Sequence, residues 1–342
     1  ETGTVTGGTI VFSPGGGAEQ NYYLDANIPL RNLTITGAAG QPAVVRLLSS
    51  ALTVNGNMTI NPNSVFNANN NNVTFNGNLI NTQGLAGYIS GSNITTFSVL
   101  NSSPFAGAQS ITGATAFNNL TVNPDISLTI NNPLNVNGDL TISKGTLICQ
   151  ANGVSVKGNI VNDASYTDTN VAGSGLILNG TTTQSVYGSG AFSRFELNNN
   201  AGARIENNVS FQEDIVMTQG ILDIKKYLIT LGTNSNILGG PFNVTKMITS
   251  DGVFSNVGIR KFFNPGAAAF LYPLGTNGKY TPVQLTITAN STVGFIRVNN
   301  ISSRHPAILD PANSLNYYWE VQSSGISNLS GNIVMNYMQS DV

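Results

Sequence analysis

Apolar and polar positions alternate along most of this chain in units only three residues long. Between 120 and 161 the units read Leu120-Thr-Val, Leu128-Thr-Ile, Leu134-Asn-Val, Leu140-Thr-Ile, Leu147-Ile-Cys, Val154-Ser-Val and Ile160-Val. Their starts lie 8, 6, 6, 7, 7 and 6 residues apart, and Asn, Gly, Asp or Pro fills the gaps. Alternation sends the two outer side chains of a triplet to one face of a strand. A strand this short is not stable alone, so the triplets must stack on one another.

The stacking register is visible in the spacing. Leu120, Leu140 and Ile160 are 20 residues apart, as are Leu134 and Val154, and Ile177, Leu197, Met217 and Ile237 continue the series. Leu52 to Val73 and Met58 to Leu79 are each 21 apart. Three triplets per period predict an all-β parallel β-helix, a three-sided solenoid with about 20 residues per coil. Roughly ten coils at ~4.8 Å each would make a rod near ~50 Å, right-handed by the rule for parallel crossovers.

The corners carry Asn-Gly at Asn55-Gly56, Asn76-Gly77, Asn137-Gly138 and Asn179-Gly180. The reading is a left-handed backbone at sharp turns, with stacked Asn side chains forming hydrogen-bond ladders. A longer recurrence overlies the coils. Asn32-Leu-Thr-Ile returns as Asn119-Leu-Thr-Val, and Val54-Asn-Gly-Asn-Met-Thr-Ile as Val136-Asn-Gly-Asp-Leu-Thr-Ile. The offsets predict a module of about 80 residues, or four coils. Segments 84–116 and 162–190 fit the pattern poorly and read as irregular coils or protruding loops.

After Ile237 the period changes. Prolines return at 241, 265, 273 and 282. Longer strands appear at Val283-Gln-Leu-Thr-Ile, Gly294-Phe-Ile-Arg-Val, Tyr318-Trp-Glu-Val and Asn332-Ile-Val-Met-Asn-Tyr. These predict a small antiparallel β-sandwich. The expected organisation is 1–30 as an N-terminal cap or first coil, 31–245 as the parallel β-helix, and 246–342 as a C-terminal β-sandwich-like domain. A sandwich placed there would also cap the open strand edges of a solenoid.

Composition narrows the function classes. Charged residues make up 9% of the 342, and the net charge is −2. Disorder is excluded by the abundance of Val, Ile and Thr. No apolar run is long enough for a membrane-spanning helix. The fourteen Lys and Arg are scattered, apart from Lys225-Lys226 and Arg260-Lys261, so no basic stripe tracks a nucleic acid. The single Cys149, beside Leu147 and Ile148, reads as a buried thiol. The opening Glu1-Thr-Gly-Thr, without Met or a visible signal peptide, and the ending at Asp341-Val342 suggest a trimmed piece of a longer precursor.

The runs NLTI…LTVNGNMTI and LNVNGDLTISKGTL resemble the repetitive surface proteins of Bacteroidota. The tail segments LYPLGTNGKYTPVQLTI, RHPAILDPANSLNYYWEVQSSGISN and GNIVMNYMQSDV resemble the β-domain near the end of those proteins. In that family such a domain often precedes a sorting domain for type IX secretion. The resemblance implies an extracellular or cell-surface, bacterial, adhesin-like protein, and it carries no shared catalytic motif.

β-Helices also carry polysaccharide lyases and hydrolases, which need clustered carboxylates on one face. Here acids are sparse. Glu196 and Asp214 are the nearest approach to a stacked pair, Glu213-Asp214 are mere neighbours, and Asp163 and Asp168 share one loop. His305, the one histidine, has no Ser–His–Asp or Cys–His frame and reads as a turn or packing residue. No spacing suits zinc or calcium, and Gly15–Gly17 lacks the Lys-Ser/Thr of a phosphate loop. No catalytic residue, metal ligand or cofactor is expected. Tyr22, Tyr23, Tyr88 and Trp319 are the candidate glycan or partner contacts, although alternation through Tyr317-Tyr318-Trp319 favours the core over a platform for Trp319. Many Asn-x-Ser/Thr triplets, among them Asn32, Asn57, Asn72 and Asn119, look like glycosylation acceptors, but an Asn corner followed by a Thr-bearing strand produces them unaided.

Three functions remain in view. The first is a non-enzymatic structural or adhesive surface protein, with a filament-forming variant. The second is a polysaccharide-active enzyme, and the third a glycan-binding module. The partners expected are further copies of the chain, end to end or by strand sharing, and surface glycans or proteins. Neither nucleic acid nor a membrane span is expected.

Overall fold

The triplets turn their outer residues inward. Leu120 and Val122, Leu134 and Val136, and Leu140 and Ile142 are fully or almost fully buried, while the central Thr or Asn of each triplet is half-exposed. This is seen in a computed structural model that describes every residue except 1–6, 17–18, 100–106, 253–255, 277 and 342, and of Pro311 only the backbone. Among these residues the chain is a parallel β-solenoid of about 11 turns, roughly 21 residues per turn, with a small antiparallel sheet at the C-terminal end. It divides into two compact units, Glu1–Ile177 and Leu178–Val342. The opening tetrapeptide, Gly17 and Val342 lie outside the described residues.

In the first unit each turn contributes one strand to each of three faces. Asn32–Ile35, Ala43–Leu47 and Leu52–Val54 make one such turn; Met58–Ile60, Ser64–Asn67 and Val73–Phe75 make the next. Leu33 pairs with Met58 and Met58 with Leu79 on the first face, Val45 with Phe66 on the second, and Leu52 with Val73 on the third. Leu120, Leu140 and Ile160 are in register as expected, as are Leu134 and Val154. Thr9–Phe12 and Gln20–Leu24 pair in parallel with Asn32–Ile35 and Ala43–Leu47, stacking on that turn. Each inward Leu, Ile or Val contributes about 1.5–3 kcal/mol on burial. Aromatic rings fill the wider interior: Phe75 stacks on Phe97 at 5.0 Å, and Phe117 meets both Phe97 and Tyr88 edge-on.

The corners correct one expectation. Neither residue of the four Asn-Gly pairs has a positive φ. Gly56, Gly77 and Gly138 are there for room. A Cβ on Gly56 would overlap the Asn32 side chain and the Arg31 carbonyl, and one on Gly77 would overlap the Gly56 backbone. The Asn ladder is present. The Asn57 backbone N–H donates to Asn32 Oδ1 at 2.9 Å, that of Asn78 to Asn57 Oδ1 at 3.1 Å, and that of Ser110 to Asn78 Oδ1 at 2.8 Å. Each side chain thus serves the corner of the following coil, where backbone donors would otherwise lack partners. Asn72 and Asn119 do the same for Ile94 and Asp139, so these four asparagines of Asn-x-Thr triplets are ladder residues.

The longer recurrence does not keep to one face. Asn32–Ile35 lies on the first face, whereas its repeat Asn119–Val122 lies on the third. Every face asks for the same apolar–polar–apolar triplet and polar corner, so a duplicated segment is accepted on any of them. Within segment 84–116, Ile94–Phe97 pairs with strands on both sides, but the coil is enlarged as expected, since Ser110 meets Asn78 across 32 residues.

In the second unit one turn is made by Gln184–Tyr187, Ala191–Phe192 and Phe195–Asn198, and the next by Ala203–Ile205, Val209–Phe211 and Ile215–Gln219. Leu197 pairs with Met217 as predicted, but Ile237 pairs with Ile215 instead of Met217. A turn closed by the Ser235 N–H on the Gly232 carbonyl lies in this longer coil. Parallel pairing runs past residue 245: Leu228–Leu231 pairs with Gly258–Phe263, and Ile248 with Leu274. Gly258–Phe263 is the joint, because its other edge pairs antiparallel with Gly294–Ile301. Tyr318–Ser324 extends that sheet, and Ala268–Tyr272, Val283–Ala289 and Ser330–Met335 form a second antiparallel sheet. The Tyr272 hydroxyl, buried between the sheets, donates to the Ile296 carbonyl at 2.8 Å.

Candidate functional site

A grouping of opposite charges lies on one face of the second unit. In Ala203–Ile205 the flanking residues are buried, so Arg204 points outward, and in the next coil Leu222 is buried and Asp223 points outward. Arg204 and Asp223 are register partners, with Nε and Oδ2 4.0 Å apart. Beyond them Lys225 Nζ donates to both Glu206 carboxylate oxygens at 2.9 Å. Asp223 Oδ1 also accepts at 3.0 Å the backbone N–H of Lys225, which is itself held at φ 48°. The Glu206 hydrogen bond raises the Lys225 pKa. A groove of about 260 Å³ lined by Thr183, Arg204, Asp223 and Thr249 lies beside this quartet. Two carboxylates and two cations alternate across neighbouring coils, an arrangement that suits a charged polysaccharide as well as a stabilising ion-pair network.

Sequence reasoning missed the quartet because it sought acid above acid. Adding about one coil to Arg204 and Glu206 reaches Asp223 and Lys225, an acid–base pattern that the same arithmetic detects. The pair it preferred does not stack. Glu196 is in register with Val216, accepts the Thr218 hydroxyl at 2.7 Å and lies 3.7 Å from Arg194. Asp214 instead caps a corner, accepting the Asn236 backbone N–H at 2.8 Å. Asp139 and Asp168 do likewise for Asn159 and Asn170. Among the described residues no group of three or more His, Cys, Asp or Glu is placed to hold a metal ion. Cys149 is buried, which pushes its thiol pKa up.

The four aromatic candidates part company. Tyr88 is 2% exposed and cannot stack on a ligand. It stands in register with Phe66 one coil earlier, its hydroxyl shares a 2.9 Å hydrogen bond with Thr95, and burial pushes its pKa up to about 12. The spacing from Phe66 was the signal for a core position. Tyr22 is half-buried against Phe12 and donates to the Ser13 carbonyl at 2.5 Å. Tyr23, one residue on and facing the other way, is 64% exposed.

Trp319 is half-buried in the antiparallel domain, and its indole N–H donates to the Thr281 carbonyl at 3.0 Å. It helps to line a cleft of about 250 Å³ with His305, Leu315, Tyr318, Asn313 and Ser314. Tyr317, the buried member of the Tyr317-Tyr318-Trp319 run, meets Trp319 edge-on at 5.5 Å and donates to Asp341 at 2.9 Å. His305 meets Tyr318 edge-on at 4.8 Å, and its Nδ1 accepts the Ala307 N–H at 3.2 Å. The packing and turn roles expected of this histidine are therefore present, and the two residues also bring their rings to a shared cleft.

No helix among the described residues is long and apolar enough to cross a membrane. Comparison of the chain with protein-family models, with curated proteins and with solved structures found no match.

Proposed function

We propose that this chain is a non-enzymatic structural and adhesive protein of a bacterial surface, extracellular or cell-attached. The observation that carries the reading is how the solenoid uses its acids. Asp139, Asp168, Asp214 and Asp223 each accept a backbone N–H at a corner, so these carboxylates serve the architecture. The polar surface left over is a repetitive array of Asn, Thr and Ser, suited to extended contact with glycans or proteins. The resemblance to Bacteroidota surface proteins, with export by type IX secretion, supports the same assignment. Binding of the purified chain to glycan- and protein-coated surfaces tests it, and indifference to every surface would sink it.

Self-association is part of the proposal. Thr9–Phe12 and Tyr318–Ser324 each pair along one edge only among the described residues, and open edges invite another copy. Negative-stain microscopy across a concentration series should show end-to-end chains, and monodisperse particles throughout would remove this element.

A polysaccharide-active enzyme is the second reading, favoured by the Arg204–Glu206–Asp223–Lys225 quartet beside its groove. It requires release of new sugar ends from a neutral or acidic polysaccharide by the wild type and loss of that release in Glu206→Gln and Asp223→Asn.

A further inference from the structure

The cleft of His305, Tyr318 and Trp319 has the chemistry of a sugar subsite, and we infer that it takes one ring of a neutral glycan. The inference rests on the adhesive reading and gives it a place and a ligand class. At about 250 Å³ the cleft lies below the roughly 300–1,000 Å³ of sites for drug-sized molecules. The apolar C–H face of a pyranose is matched by aromatic rings, whose faces are electron-rich and which also carry a polar edge.

Three features prepare the site. The Trp319 indole is fixed from behind, by its hydrogen bond to Thr281 and by Tyr317, which is itself tied to Asp341. The facing wall is ordered by Asp310, whose carboxylate accepts the Ala312 N–H at 3.0 Å and the Asn313 side-chain N–H at 2.8 Å. The polar complement is present in the lining. With Nδ1 of His305 accepting from Ala307, the neutral ring carries its proton on Nε2, a donor for a sugar hydroxyl. Asn313, Ser314 and the Tyr318 phenol add further polar groups to the same lining. The contribution of a fixed aromatic wall and a few placed donors is orientation with little ordering cost on binding.

Trp319 is the one tryptophan of the chain, so its emission reports on this cleft alone. The test is titration of the full chain with cellohexaose, xylohexaose, mannohexaose and chitohexaose at up to millimolar concentration, following Trp319 emission and its quenching by iodide. A saturable emission change with reduced quenching is expected for at least one of them. His305→Ala and Tyr318→Ala, checked for unchanged far-ultraviolet dichroism, should each weaken that binding about tenfold. An unresponsive Trp319 with all four probes, a response to an aromatic peptide and to no sugar, or undiminished binding in both variants would each overturn the assignment. Surface adhesion by a chain whose Trp319 is unresponsive would leave the adhesive reading standing and remove only this site.

Discussion

Asn119 and Asp139 stand one coil apart at the same corner, and the Asp139 backbone N–H donates to Asn119 Oδ1 at 2.8 Å. Asp139 then repeats the act for Asn159 at 2.6 Å. Gly138 makes the contact possible, since a Cβ there would overlap Asn119 Oδ1. Gly138→Ala should therefore destabilise the fold by roughly 1–3 kcal/mol. Gly15→Ala, where a Cβ meets nothing within 4 Å, should stay within about 0.5 kcal/mol of wild type. Urea unfolding of the two variants checks the contrast, and equal midpoints would refute the close-approach argument.

The interior aromatics predict a graded response. Phe97 is fully buried between Phe75 and Phe117, so Phe97→Ala should cost about 3–5 kcal/mol. Tyr88→Phe keeps the ring and loses the hydroxyl's bond to Thr95 and the longer one from Asn93, for about 1–2 kcal/mol. Thermal unfolding should rank them in that order. A Tyr88 variant with full stability but lost glycan binding would contradict the burial of this ring.

In the antiparallel domain Arg297 is completely buried. It donates to the Val257 carbonyl at 2.6 Å and to Glu320 at 2.7 Å. Arg297→Met leaves the Val257 carbonyl without its donor and the part-exposed Glu320 carboxylate without its cation, and should cost about 1–3 kcal/mol. Hydrogen exchange should show the loss first in Gly294–Ile301 and Tyr318–Ser324, the paired strands that carry Arg297 and Glu320.

Lys261 predicts a pH dependence. Its amine is buried, donates to the Gly232 and Thr233 carbonyls at 2.6 and 2.8 Å, and lies near Phe263 and Phe270. Desolvation pushes its pKa down from 10.5 to about 8, against the opposing pull of Asp214. Between those values the unfolded chain holds a proton that the folded chain has released, so this group's contribution to stability rises with pH. Below about 8 both states are protonated and the full cost of the buried charge remains. Buried Tyr88 and Tyr272 have raised pKa values and act in the opposite sense at high pH. The quantity to measure is thus the stability of wild type minus Lys261→Met across the window. It should climb by on the order of 3 kcal/mol, and a flat difference would show that Lys261 titrates normally.

Much of the fold was legible because its rules are local. Leu120 and Val122 flank a Thr, and two-residue alternation alone sends both to one side. Stacking then follows from identical triplets at a common spacing, so the pairing of Leu120 with Leu140 needed no tertiary information. The four long tail strands announced themselves by length. The candidate sites were less legible. Trp319 was singled out, but His305 is fourteen residues away in sequence, and only the turn through Asp310–Asn313 brings both to one cleft.

By itself the sequence determined the parallel solenoid, its three faces, its coil length and the change to antiparallel pairing, because side-chain alternation and corner residues act over neighbouring positions. The tertiary structure decided which face each segment occupies, where the coil gives way to the sandwich, that Tyr88 is core, and that Arg204, Glu206, Asp223 and Lys225 share a surface. Those outcomes depend on the exact length of every intervening corner. A two-residue change there, as before Ile237, leaves the alternation intact while altering which side chains meet.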